Sequence, residues 1–141
     1  MEIKDFSKTL HRLRTLEKKI VREFESSTGF SLTRYEILSY LSENGYCLQT
    51  DIANYVGLDP AAITRQLKIL ERENYVTRKR NSDNAREIIV SLTNFAKEEL
   101  KSCCERHKSE RCNITFSVEK DDLKNLVEVL DSINNKINEG E

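Results

Sequence analysis

Asp59-Pro60-Ala61-Ala62-Ile63-Thr64-Arg65-Gln66-Leu67-Lys68-Ile69-Leu70-Glu71-Arg72 reads as one short helix with two unlike faces. Asp59 suits the N-cap, because its carboxylate accepts from first-turn N–H groups that have no partner inside the helix. Pro60, the single proline of the chain, suits the first helical position, where no donor is needed and φ is already set. Ile63, Leu67 and Leu70 recur at i, i+4 and i+7, a stripe that has to be buried. Ala61, Arg65, Lys68 and Arg72 gather on the opposite side of the same wheel. That outer face is small where the helix begins and cationic beyond. Such a helix can bring its start close to another molecule while offering guanidinium and ammonium groups, which suits the major groove of DNA. Taken alone, it reads more simply as a solvated basic face.

The flanks decide between the two. Upstream, Gln49-Thr50-Asp51-Ile52-Ala53-Asn54-Tyr55-Val56 has helical spacing in Ile52, Ala53 and Val56, and Gly57 can take the left-handed conformation that ends a helix. Gly57-Leu58-Asp59 is then the turn of a helix-turn-helix, with small Ala53 where two helices cross closely. Downstream the period changes. Tyr75-Val76-Thr77-Arg78-Lys79-Arg80 and Glu87-Ile88-Ile89-Val90-Ser91-Leu92 are short β-like runs. The polar turn Asn81-Ser82-Asp83-Asn84-Ala85-Arg86 joins them. Two strands and a basic loop directly after such a helix make a wing, carrying Arg78, Lys79, Arg80 and Arg86. Arginine at a wing tip can enter a minor groove or clamp phosphates.

From Leu48 to Thr93 the chain resembles the DNA-binding core of the MarR family of regulators. Ile52-Ala53 with Gly57-Leu58 resembles the family's third helix, Ala61 to Glu71 its recognition helix, and Leu70-Glu71-Arg72-Glu73-Asn74-Tyr75-Val76 the exit into its wing. Asp83-Asn84-Ala85-Arg86 with Val90-Ser91-Leu92-Thr93 resembles the wing signature, which makes Arg86 the wing-tip arginine. Three positions depart from the pattern. Asn84 stands where the family usually has Asp two residues before that arginine, Asn74 stands for a usual glycine, and Ala96 for another. Asn tolerates the left-handed conformation that a glycine at position 74 would supply.

Charge distribution agrees. The net charge of −1 would speak against nucleic acid if evenly spread, but residues 60–86 hold seven basic residues against three acidic ones, a local +4. A basic patch on an acidic body steers DNA to one face. With 141 residues, one domain is expected. No run reaches the apolar length of a membrane helix, and the charged start at Glu2, Lys4 and Asp5 is unlike a signal peptide. Cys103, Cys104 and Cys112 fall in one expected helix, too unevenly placed for a disulfide framework, so a cytoplasmic location is expected.

The chain ends carry two apolar stripes at alternating three- and four-residue spacing. Ile3, Phe6, Leu10, Leu13, Ile20 and Phe24 form one, interrupted by Glu17; Leu123, Leu126, Leu130, Ile133 and Ile137 form the other, after an expected cap at Ser117. They can pack within one subunit or between two. In the family resembled, the terminal helices interdigitate across a two-fold axis. The expected architecture is therefore mainly α with a β-hairpin wing: dimerisation helices in 1–30 and 94–141 around a winged helix-turn-helix core in 31–93. A second helix is expected over Leu32–Leu41, with Thr33 and Glu36 as a capping box, and a fifth from Thr93 to about Asn113.

In that fifth helix Ala96, Leu100, Cys103 and His107 share a stripe, with Cys104 beside it. Cys103 and His107 at i, i+4 could both reach a zinc ion, and an activated thiolate could sense oxidants. Small apolar packing accounts for the same residues more simply. Redox-sensing members of the family resembled generally place the reactive cysteine in the first helix, and this first helix has none.

These readings lead to a homodimeric transcriptional regulator, a repressor binding a pseudo-palindromic duplex operator, with no cofactor and no catalytic set; the family resemblance implies release by a small organic effector. The expected DNA-binding residues are Ala61, Ala62, Thr64, Arg65, Gln66, Lys68, Arg72, Arg78, Lys79, Arg80 and Arg86. Phe6, Leu10, Leu13, Leu123, Leu126, Leu130, Ile133 and Ile137 are expected at the dimer interface. A winged helix used only to bind protein, or a thiol- or metal-responsive regulator of the same fold, are the alternatives.

Overall fold

The computed structural model describes residues 1–108 and 120–140. Its elements are α1 (Ile3–Thr28), α2 (Leu32–Asn44), β1 (Cys47–Leu48), α3 (Gln49–Val56), α4 (Pro60–Arg72), β2 (Val76–Arg80), β3 (Ile88–Leu92), α5 (Asn94–Lys108) and α6 (Lys120–Glu139). Cys112, the end of the expected fifth helix and the expected cap at Ser117 lie outside the described residues.

The helix-turn-helix forms where its sequence signals place it. Gly57 sits at φ 76°, and its N–H reaches the carbonyl of Ala53 at 2.9 Å, closing α3. Two residues later Asp59 Oδ1 accepts from the N–H of Ala62 at 2.8 Å and opens α4. Ile63, Leu67 and Leu70 are fully buried against a core that includes Ile37, Leu38, Leu41 and Ile52. At the far end Asn74 takes φ 66°, the one non-glycine residue at positive φ among those described. The N–H of Tyr75 then bonds the Leu70 carbonyl at 2.8 Å, turning the chain into the wing.

β2 and β3 pair antiparallel from Val76↔Leu92 to Arg80↔Ile88. On the other side of β3 lies β1, through Cys47↔Val90 and Leu48↔Ile89, so the strand order is β1-β3-β2. Sequence reading missed β1. Two residues are too few for alternation to register, and what makes them a strand is the open edge of β3.

The cap of α2 also differs from expectation. Ser31, not Thr33, is the N-cap, its side chain accepting from the N–H of Arg34 at 3.3 Å. Thr33 lies inside the helix and Arg34 stands at the third helical position, so the expected box of Thr33 and Glu36 does not form and Ser31 caps alone. The helix also runs past Leu41 to Asn44, where Gly45 ends it.

α5 starts on Thr93, whose hydroxyl oxygen accepts from the N–H of Ala96 at 3.1 Å. Ala96, Leu100 and Cys103 are buried, His107 is half-buried and Cys104 exposed. Ala96 leaves no exposed surface, which explains a small residue there. The stripes of α1 and α6 behave differently: Phe6, Leu10, Leu13, Leu123, Leu126, Leu130, Ile133 and Ile137 remain between 40% and 60% exposed in the single chain. Both helices thus expose apolar side chains repeatedly along one stripe. Among the described residues, no helix is long and apolar enough to cross a membrane.

Candidate nucleic-acid interface

α4 presents its cationic side to solvent because its other side is locked in the core. Ala61, Arg65, Lys68 and Arg72 are exposed, while Ala62, Thr64 and Gln66 are half-buried. Lys79, Arg80 and Arg86 are exposed on the wing. Two of the expected site residues have side chains already engaged within the fold.

The first is Thr64. Its hydroxyl donates to the carbonyl of Pro60 at 2.8 Å and its oxygen accepts from Gln49 Nε2 at 2.8 Å, so it serves the packing of α3 on α4. The second is Arg78, expected to hold phosphate. Its side chain is only 13% exposed, Nη2 donates to Gln49 Oε1 at 3.2 Å, and Nη1 lies 3.8 Å from Glu71 Oε1. Burial follows from its position in the ladder, opposite Val90, which is completely buried. Gln49 and Glu71 were not among the expected site residues. Nothing local marks them, since each finds its partner through the fold.

The wing tip is held by its own polar side chains. Asn81 Oδ1 accepts from the N–H of Asp83 at 3.1 Å, and Asn84 Oδ1 from the N–H of Arg86 at 3.1 Å. The Glu87 carboxylate accepts from Asn81 Nδ2 at 3.0 Å and Asn84 Nδ2 at 3.4 Å. Arg80 Nη1 closes the loop on the Ala85 carbonyl at 2.8 Å. Asn84 thus orients the backbone of Arg86, where the family's usual aspartate would offer a carboxylate. A cleft of about 180 Å³ between wing and helices is lined by Leu48, Ala53, Leu58, Pro60 and Ile63, with Gln49 and Arg86 among its polar groups.

A second arginine secures the base of α4. Arg34 of α2 pairs with Glu73 just beyond the helix, and its guanidinium carbon lies 5.7 Å from the centre of the Tyr75 ring. Behind it, α1, α2 and α5 meet around Tyr35. Burial, then the neighbouring Cys104 and Cys103, push the Tyr35 phenol above its ordinary value. Cys103 Sγ is 3.7 Å from His107 Nδ1. Among the described residues, no three His, Cys, Asp or Glu groups are arranged to hold a metal ion.

Fold and surface together define a winged helix-turn-helix protein. Residues 30–88 match the model of the MarR family. YdgJ, an uncharacterized HTH-type transcriptional regulator of Bacillus subtilis (strain 168), is 32% identical over 129 residues, spanning 92% of this chain and 79% of its own. The transcriptional regulator SarA of Staphylococcus aureus is 28% identical over 94 residues, 64% of this chain and 72% of its own. Two solved structures share the fold with a TM-score of 0.80. One is a mutant MarR from E. coli complexed with operator DNA, 17% identical, covering 94% of this chain and 99% of that one. The other is the transcriptional repressor CouR bound to a 23-mer DNA duplex, 19% identical, covering 95% and 98%. The chain belongs to the MarR family of transcriptional regulators.

Proposed function

We propose that the protein is a homodimeric, cytoplasmic repressor that binds a pseudo-palindromic duplex operator and is released by a small organic effector. The observation that carries the DNA-binding part is the division of α4: Ile63, Leu67 and Leu70 are buried while Arg65, Lys68 and Arg72 are exposed beside the wing cations Lys79 and Arg86. Arg65, Lys68 and Gln66 meet base edges in the major groove, with Ala61 and Ala62 allowing close approach at the start of the helix. Arg86 reaches the minor groove, and Lys79, Arg80 and Arg72 hold phosphates. The exposed stripes of α1 and α6 pair two chains, which sets two recognition helices at successive major grooves.

Titration of labelled genomic fragments at several salt concentrations tests this reading. Affinity falls steeply with salt, because each neutralised phosphate releases counterions. Arg65→Ala relaxes preference at one base pair by about 1–3 kcal/mol, as loss of a bidentate contact would, while Arg86→Ala weakens binding through the wing. Salt-independent binding, or unchanged affinity in both variants, would defeat the reading.

A further inference from the structure

Gln49, the first residue of α3, has its side-chain amide engaged at both ends by elements on either side of it. Its oxygen accepts from Arg78 Nη2 in β2 at 3.2 Å, and its nitrogen donates to Thr64 Oγ1 in α4 at 2.8 Å. The orientation is forced. Guanidinium can only donate, so the amide oxygen must face Arg78 and the amide nitrogen must face Thr64. Thr64 then has to send its own proton elsewhere, and the Pro60 carbonyl takes it at 2.8 Å. A polarised chain of hydrogen bonds therefore runs from the wing, through the start of α3, into the first turn of the recognition helix. Gln49 also follows directly on Leu48, which pairs with Ile89 across β3 from Lys79, so backbone and side chain join the same elements.

We propose that Gln49 and Arg78 are positioning residues that set the angle between the recognition helix and the wing, and that Arg78 is not one of the phosphate contacts. The inference rests on the DNA-binding reading above. A phosphate would have to draw the Arg78 guanidinium away from Gln49 and Glu71, out of a site that leaves it 13% exposed. Lys79, the next residue along β2, is exposed with no such claim on it.

The test uses full-length Gln49→Leu, Arg78→Met and the double variant, with Thr64→Val as a gentler cut of the same chain. Each single variant at Gln49 or Arg78 loses about tenfold or more in operator affinity, the scale of one hydrogen bond to a charged group. The slope of log affinity against log salt is retained in Arg78→Met, whereas a lost phosphate contact lowers it by about 0.9. The double variant loses no more than the larger single one, because both cut the same chain. Hydrogen exchange on the free proteins supplies an arm independent of DNA: amides of Val76–Arg80 and the first turn of α3 exchange faster in all variants, and those of α6 do not. A reduced salt slope in Arg78→Met, additive losses in the double variant, or unchanged exchange in Gln49→Leu overturns the proposal. A parent protein that binds no duplex at any salt overturns the DNA reading instead, and the exchange arm still decides whether the chain couples wing to helix.

Discussion

His107 donates from Nδ1 to the carbonyl oxygen of Cys103, 2.6 Å away on the preceding turn of α5. In the neutral ring this leaves Nε2 as the acceptor for the Ser27 hydroxyl of α1 at 2.9 Å. Both nitrogens are therefore engaged, Nδ1 within α5 and Nε2 to α1, and a metal would have to displace one of those bonds. The prediction is that zinc and chelator each leave the melting temperature unchanged. A zinc-dependent rise that Cys103→Ser abolishes would restore a metal role for this pair.

Thiol reactivity follows from burial. Cys104 is exposed, whereas Cys47 and Cys103 are buried. Burial, and then the nearby Asp51 carboxylate, push the Cys47 thiol above its ordinary value of 9.0. Mass spectrometry after a short iodoacetamide pulse should find Cys104 modified ahead of both buried thiols, with Cys47 reacting on unfolding. Cys47 alkylated as fast as Cys104 in the folded protein would contradict the packing described.

Stability should also decline in alkali. A thiol or phenol whose folded value is raised contributes stability that is fully present below its unfolded value and is lost as pH rises through the folded one. Cys47 is raised by burial from 9.0 and Tyr35 by burial from 10.0, so the decline begins above roughly pH 9. Urea midpoints measured from pH 7 to 10.5 check this, and Cys47→Val should flatten the first part of the decline. A midpoint that rises with alkali would contradict it.

Asn74, at φ 66°, holds a conformation that costs a branched residue more than it costs asparagine or glycine. Asn74→Gly should change stability little. Asn74→Val should lower it by about 1–2 kcal/mol in denaturant unfolding, because a β-branched side chain crowds the backbone in the left-handed region. Equal midpoints for the two variants would show that the turn relaxes.

Leu130 of α6 is half exposed in the single chain, in line with Leu126 and Ile133. Paired with Phe6, Leu10 and Leu13 of α1 across a two-fold axis, these residues should bury more than about 2,000 Å² in total, as obligate dimers do. Leu130→Asp would leave an unpaired charge in that interface and dissociate or unfold the protein. A stable monomer of the unaltered protein in sedimentation at micromolar concentration would sink this assembly.

The helix-turn-helix and the wing are legible in the amino-acid sequence because their signals are local. Asp59 caps its helix through an N–H three residues away, Gly57 and Asn74 supply positive φ where the chain must turn, and the stripe of Ile63, Leu67 and Leu70 needs only helical periodicity to be seen. The basic outer face of α4 follows from the same wheel. Where two local signals compete, the reading can slip, as with Ser31 and Thr33 at the start of α2.

What only the tertiary structure decided is which polar side chains are available to a partner. Arg78 and Lys79 are adjacent cations in one strand and look alike in sequence, yet the pleat turns one toward Gln49, 29 positions earlier in the chain, and leaves the other in solvent. β1 exists because β3 offers it an edge, and the Thr64 hydroxyl is occupied because the fold brings Gln49 to it. Periodicity and capping act over a few residues and are written along the chain. Burial and hydrogen-bond partnership act between segments far apart in it, and only their packing settles them.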